Sequence, residues 1–366
     1  MALHHDRLFT LSRLALAALG AAYACACREP ARSAPTIGSS GTAVAASAPA
    51  SSTSAGPPAA ANPSAAGDGC DFEHDGKEIA DPSAPWNVSA EPLELVDAGQ
   101  EPRRVLRYAA KRGDERTLQF SIRMRLQMRK NLDSGGWIAL PDLSAQPTLR
   151  VVSASSTTAR VRVTQGPVSA GAPPDPDPAV RFGGKALTAE NVADMGEGAR
   201  KAFAKAGASP FELDVAGDGR FGAGNLMGGE GGPALVAGVA VVPLPADPVG
   251  IGARWRVSAR VVGAPAATIE ATYTYVGEAE GRPVIHASSS ARLDESRPHR
   301  LVVSDRLHDI QSLAIDEELE MTLDPAFPIG SYERKVSNET VTSECKHGHL
   351  EIVGVSSQSE MRLAAK

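Results

Sequence analysis

The chain has 366 residues, and its four cysteines and eight histidines are the groups best suited to covalent or metal chemistry. Cys345, His347 and His349 alternate, so on a β-strand they would share one face. Cys70 and His74 lie far away in sequence. If the two regions met, two Cys and two His could hold a zinc ion. In an oxidising compartment, a pair of cysteines forms a disulfide more readily than a metal site. The expectation is a Cys70–Cys345 bridge, with no metal and no cofactor. Domain ends tend to lie close together, which favours this pairing.

Other spacings carry weaker chemistry. Gly217-Asp218-Gly219-Arg220-Phe221-Gly222 has the G-x-G-x-x-G form. A phosphate cradle also needs a helix to open there, and the glycine-rich residues that follow resist one. A turn is expected. Asp214, Asp218 and Gly219 fit places one, five and six of a calcium loop, but place twelve is Asn225 where a bidentate Glu belongs. Hydrolysis finds no G-x-S-x-G and no H-E-x-x-H. His286, His299 and His308 read as strand or surface histidines. No catalytic residue is assigned, and the chain is read as non-enzymatic. The sequons at Asn87 and Asn338 are read as chance.

Composition narrows the classes further. With 37 Lys+Arg against 43 Asp+Glu, the net charge is −6. A nucleic-acid binder usually shows a basic excess. Aromatics make up 4%, which leaves few stacking platforms.

Residues 1–27 begin with His4, His5, Asp6 and Arg7, continue through an apolar run from Leu8 to Leu19, and exit through small residues to Cys25 and Cys27. That order is the pattern of an export signal. Arg13 interrupts the run, so it does not read as a membrane span. The segment resembles a bacterial lipoprotein signal, in which the cysteine after the small residues is lipidated. The family usually has Leu three places before that cysteine, whereas here Ala22 or Ala24 stands there. The resemblance implies an anchor at Cys27 or Cys25. Cys27 leaves Cys70 and Cys345 as an even pair, while the length of the apolar run suits Cys25. The expected location is the cell envelope, with the chain held to a membrane (the outer membrane, periplasmic or surface side) by its lipid.

Residues 28–67 are nearly all Ala, Ser, Pro, Gly and Thr. Such a segment cannot bury enough apolar area to offset its ordering entropy, and reads as a disordered tether. Its root-mean-square reach as a coil is about 35 Å.

Residues 68–366 carry the folded domain. Leu118, Phe120, Ile122, Met124, Leu126 and Met128 alternate without error with polar residues, which predicts a long strand with one buried face. Similar alternation runs through 254–261, 268–275, 285–293 and 313–323, with Glu317 as an inward exception. The last run could also form a short helix, but a strand fits better. One helix is predicted over 188–206, with Thr188 as N-cap and Gly207 as stop. The fold class is mainly β with minor α: a curved antiparallel sheet or half-barrel packed on one or two helices. Arginines 123, 125, 160, 162, 254, 256 and 260 fall on the polar faces, as do Asp316, Glu318 and Glu320. They are expected to pair across strands rather than to attract lipid headgroups.

Pro243-Leu244-Pro245-Ala246-Asp247-Pro248-Val249-Gly250-Ile251-Gly252-Ala253-Arg254-Trp255 resembles an L-P-x-x-P-V-x-x-G-x-x-W turn of uncharacterised bacterial secreted lipoproteins. That family carries no assigned activity. A sheet with a helix behind such a signal is also similar, at fold level, to half-barrel lipoprotein carriers of the envelope. The reading that follows is a protein that binds an apolar ligand or lipid in the sheet concavity, lined by Phe120, Ile122, Met124, Leu126 and Met128. The alternatives are an assembly module that binds an envelope partner protein, and an enzyme with no readable motif.

Overall fold

The computed structural model describes residues 79, 87–90, 92–130, 135–177, 179–182, 185–206, 210–219, 241–262, 266–294, 299–303, 306–346 and 349–365. The export segment, the tether, Cys25, Cys27, Cys70, His74, Gly207 and His347 lie outside these residues.

Two short strands, β1 (Asn87–Ala90) and β2 (Glu94–Asp97), precede the long β3 (Glu115–Lys130). Five short strands follow: β4 (Trp137–Ala139), β5 (Leu143–Ala145), β6 (Thr148–Ala154), β7 (Thr158–Thr164) and β8 (Val168–Ala170). β9 (Arg181–Phe182) and β10 (Lys185–Ala186) pair with each other, and helix α1 (Ala189–Ala206) leads to β11 (Phe211–Ala216). A long meander closes the chain: β12 (Arg254–Val262), β13 (Ala267–Ala279), β14 (Arg282–Leu293), β15 (Arg300–Val303), β16 (Arg306–Asp324), β17 (Phe327–Lys346) and β18 (His349–Ala365). Among the described residues one sheet runs β1-β12-β13-β14-β16-β17-β18-β3-β6-β7-β11, with β2, β4, β5, β8 and β15 at its margins. Among the described residues the fold is mainly antiparallel β with a single helix, and the sheet is open and curved.

Period-two patterning accounts for the strands. On β3, Phe120, Ile122 and Met124 are buried, while Gln119, Arg123 and Arg125 are exposed. The 313–323 run lies inside β16 and not in a helix. The helix forms where expected. Asn191 N–H donates to Thr188 Oγ1 (3.2 Å), and Thr188 N–H donates back to Asn191 Oδ1 (3.2 Å), a reciprocal cap for two free amides. Val192, Ala199 and Phe203 turn inward, and α1 packs against β8. Gly196 makes this approach possible, because a Cβ there would lie 2.4 Å from Pro141 Cγ.

The 243–255 turn is an architectural device. The Trp255 indole N–H donates to the Pro243 carbonyl (2.8 Å), tying the strand back to the start of the turn. Leu244, Val249, Ala253 and Trp255 are buried. Val249 exchanges backbone hydrogen bonds with Arg104, and Arg107 donates to the Pro245 carbonyl. Gly250 is needed because a Cβ would sit 1.7 Å from the Gln100 carbonyl oxygen.

Candidate functional site

Register across the sheet places side chains from seven strands in rows on its inner face. One row runs Tyr275, Ile285, Met321, Tyr332, Leu363 and Phe120, and all six are buried. The next runs Trp255, Tyr273, Ala287, Leu319, Arg334, Met361 and Ile122. Trp255 and Tyr273 stack with ring centroids 5.8 Å apart and 12° between their planes. These two rows make an aromatic and aliphatic core.

The character then changes. The following row is Val257, Ala271, Ser289, Glu317, Val336, Ser359 and Met124. The row beyond is Ala259, Ile269, Ala291, Ile315, Asn338, Ser357 and Leu126. Side chains here are smaller, and Ser357, Ser359 and Asn338 are buried polar groups. Val257, Ile269, Leu313, Ile315 and Val336 are only half-buried. They form an apolar strip that the core does not fully enclose.

Glu317 explains its own inward position. Its carboxylate accepts from Arg334 Nη2 at 2.7 Å, one strand over, with the two side chains 20% and 12% exposed. Burial works against the charge on Arg334, but Glu317 outweighs it and the guanidinium pKa is raised. Burial pushes the phenols of neighbouring Tyr273 and Tyr332 up, so both stay neutral. Among the described residues, the guanidinium Nε of Arg334 and the hydroxyl of Ser359 have no hydrogen-bond partner.

Of the five expected lining residues, Phe120, Ile122, Met124 and Leu126 are buried and Met128 is half-buried. Burial at this level is what packed core gives. They wall the polar rows on one side, with Met124 opposite Ser359 and Leu126 opposite Ser357. The half-exposed apolar surface lies instead on β12, β13, β16 and β17.

The outer face is self-paired, as the arginine rows predict. Arg160 binds Asp214 (2.7 Å), Arg162 binds Glu212 (2.6 Å) and Arg256 binds Glu94 (2.7 Å). Arg292 binds Asp316 at 2.6 Å. A groove of about 350 Å³ on this face is lined by Glu270, Thr272, Ser288, Ser290, Asp316 and Glu318, with Ser289 and Glu317. His286 Nε2 meets Glu318 Oε2 at 3.1 Å, but both are exposed and no serine hydroxyl hydrogen-bonds to the histidine among the described residues.

The remaining candidates find structural places. Gly217 and Gly219 form the turn after β11, with Gly219 at φ 76° and its N–H donating to the Ala216 carbonyl. Asp214, the first calcium-loop position, is taken by Arg160. Asn338 is buried and closed to glycosylation. Cys345 is half-buried near the end of β17 and His349 is exposed at the start of β18, while the other proposed zinc and disulfide partners lie outside the described residues. Cys345 is not a free thiol. Among the described residues no three His, Cys, Asp or Glu side chains are grouped to hold a metal.

Arg334 and Ser359 do not stand out in the sequence, and Asn338 does so only as a sequon. Both faces of β17 are largely polar, so no alternation marks its inner side. The usable signal was a second inward charge, since Glu317 demands a cation on an adjacent strand. Compared with protein families, with curated proteins and with solved structures, the chain shows no match.

Proposed function

We propose that this chain is an exported, lipid-anchored, non-enzymatic binding protein of the cell envelope that takes an apolar ligand on the inner face of its sheet. The observation that carries the ligand reading is the half-buried strip of Val257, Ile269, Leu313, Ile315 and Val336. Apolar surface that a ligand removes from water contributes roughly 25 cal/mol per Å². The neighbours of the strip, Ala271, Ser289 and Ala291, are small side chains. A long, ordered sheet also holds such a strip rigid, which lowers the cost of binding. The export signal, the anchor at Cys27 or Cys25 and the tether give the domain its place at a membrane, where acyl chains are abundant. A Cys70–Cys345 bridge would fasten the tether end to β17.

The test is protein purified with its anchor, extracted with organic solvent and analysed by mass spectrometry, beside titration with a fluorescent fatty-acyl probe. Recovery of a non-covalent lipid and saturable probe binding are expected. Repeated extraction without lipid, together with no probe binding, would overturn the reading. The same mass spectrum reads the mature N-terminus, where an acylated cysteine is expected and an unmodified one would remove the anchor.

A further inference from the structure

Among the described residues, Arg334 and Ser359 each hold a buried donor on the inner face with no acceptor. Ser359 is 3% exposed and its hydroxyl has no partner. Arg334 uses Nη2 on Glu317, and its Nε–H is buried and unpartnered. Arg334 stands opposite Met361 and Val336 opposite Ser359, so Arg334 and Ser359 are diagonal neighbours on adjacent strands. Diagonal pairs lie roughly 7–8 Å apart at the backbone, within reach of a long side chain. Buried donors of this kind are rare, and among the described residues none supplies the acceptor. Val336 of the half-buried strip stands between them in the register.

Charge decides the kind of acceptor. Glu317 already balances the guanidinium, so an entering carboxylate would meet a fixed negative charge in a mostly buried place. A neutral carbonyl oxygen has two lone pairs and no such penalty. Resting on the apolar-ligand reading above, we infer that the ligand is an acyl ester whose carbonyl accepts from Arg334 Nε–H and Ser359 Oγ–H while its chain lies along Val336, Ile315 and Ile269.

The experiment is competition of methyl dodecanoate, dodecanoate and dodecane against a bound fluorescent acyl probe, using the full chain. The ester is expected to bind tighter than the alkane by between about five- and a hundredfold, the usual worth of two net hydrogen bonds. The ionised acid should gain nothing over the alkane. Ser359→Ala removes one donor without leaving a charge, and should shrink the ester's advantage over the alkane. Arg334→Lys keeps the pair with Glu317 but lacks the Nε donor, and should do the same. Equal binding of ester and alkane by the wild-type chain would hand the donors to water and overturn this inference, while the apolar-ligand reading stands. Tightest binding of the acid would also overturn it. Displacement by none of the three would remove both readings.

Discussion

The Glu317–Arg334 pair makes the sharpest stability prediction. Its side chains are 20% and 12% exposed, and Glu317 is the nearest anion the structure pairs with Arg334. Replacing Glu317 with Leu leaves a guanidinium with no counter-charge. Tyr273 and Tyr332 cannot stand in, because burial holds both phenols neutral. Removing one partner of a fully buried pair costs about 3–5 kcal/mol. The residual solvent contact places Glu317→Leu near the lower end, about 2–4 kcal/mol. Replacing both residues, Glu317→Leu with Arg334→Met, removes the stranded charge and should cost within about 1 kcal/mol of wild type. Urea unfolding of the four proteins closes a double-mutant cycle, and the coupling should reach about 2 kcal/mol, well above the few tenths typical of distant sites. Single and double variants that lose the same stability would refute the reasoning. So would a Glu317→Leu cost below about 0.5 kcal/mol, the level of an exposed pair.

Three further outcomes follow from the packing. Trp255→Phe keeps one aromatic ring but loses the bond to the Pro243 carbonyl and the volume of the second ring, so it should cost about 1–3 kcal/mol in urea unfolding, against about 3–5 kcal/mol for Trp255→Ala. Met124→Ala should destabilise by about 2–5 kcal/mol while acyl-probe affinity holds, since the side chain is packed core beside the strip; lost affinity at unchanged stability would instead make it ligand lining. Arg200 holds the Glu197 carboxylate down to about 2 through a side-chain hydrogen bond. Its folded pKa is depressed, so its contribution to stability is present above the free value of 4.5 and is lost as pH falls toward 2; a carboxyl NMR titration with a midpoint near 4.5 would contradict the pair.

Much of the fold could be read from alternation. Residues 117–128 announce β3 because one face is wholly apolar and the other wholly polar. Thr188 announces α1 because its hydroxyl caps a free amide. β17 is silent by the same physics: Tyr332, Arg334, Val336, Asn338 and Thr340 face inward, while Ser331, Glu333, Lys335, Ser337 and Glu339 face out, and neither set is distinctly apolar. The site was less legible than the fold. The strip draws on β12, β13, β16 and β17, and those side chains become neighbours only once the register is known. Within one strand, Val257 or Ile315 looks like any other inward aliphatic. Phe120, Ile122, Met124 and Leu126 belong to the most conspicuous apolar run in the sequence and lie buried in the core, while Met128 at its end is half-buried. The 243–255 turn shows the converse. Its distinctive spacing serves a carbonyl tie and a close glycine contact, with no chemistry of its own.

The inner-face strip is where the proposed ligand would lie. Photo-crosslinking with a diazirine-bearing acyl ester, followed by peptide mapping, tests this most directly. Adducts should concentrate on the inner-face residues Val257, Ile269, Leu313, Ile315 and Val336 and be suppressed by excess unlabelled ester. Adducts confined to the outer face, or spread over the surface and indifferent to competitor, would contradict it.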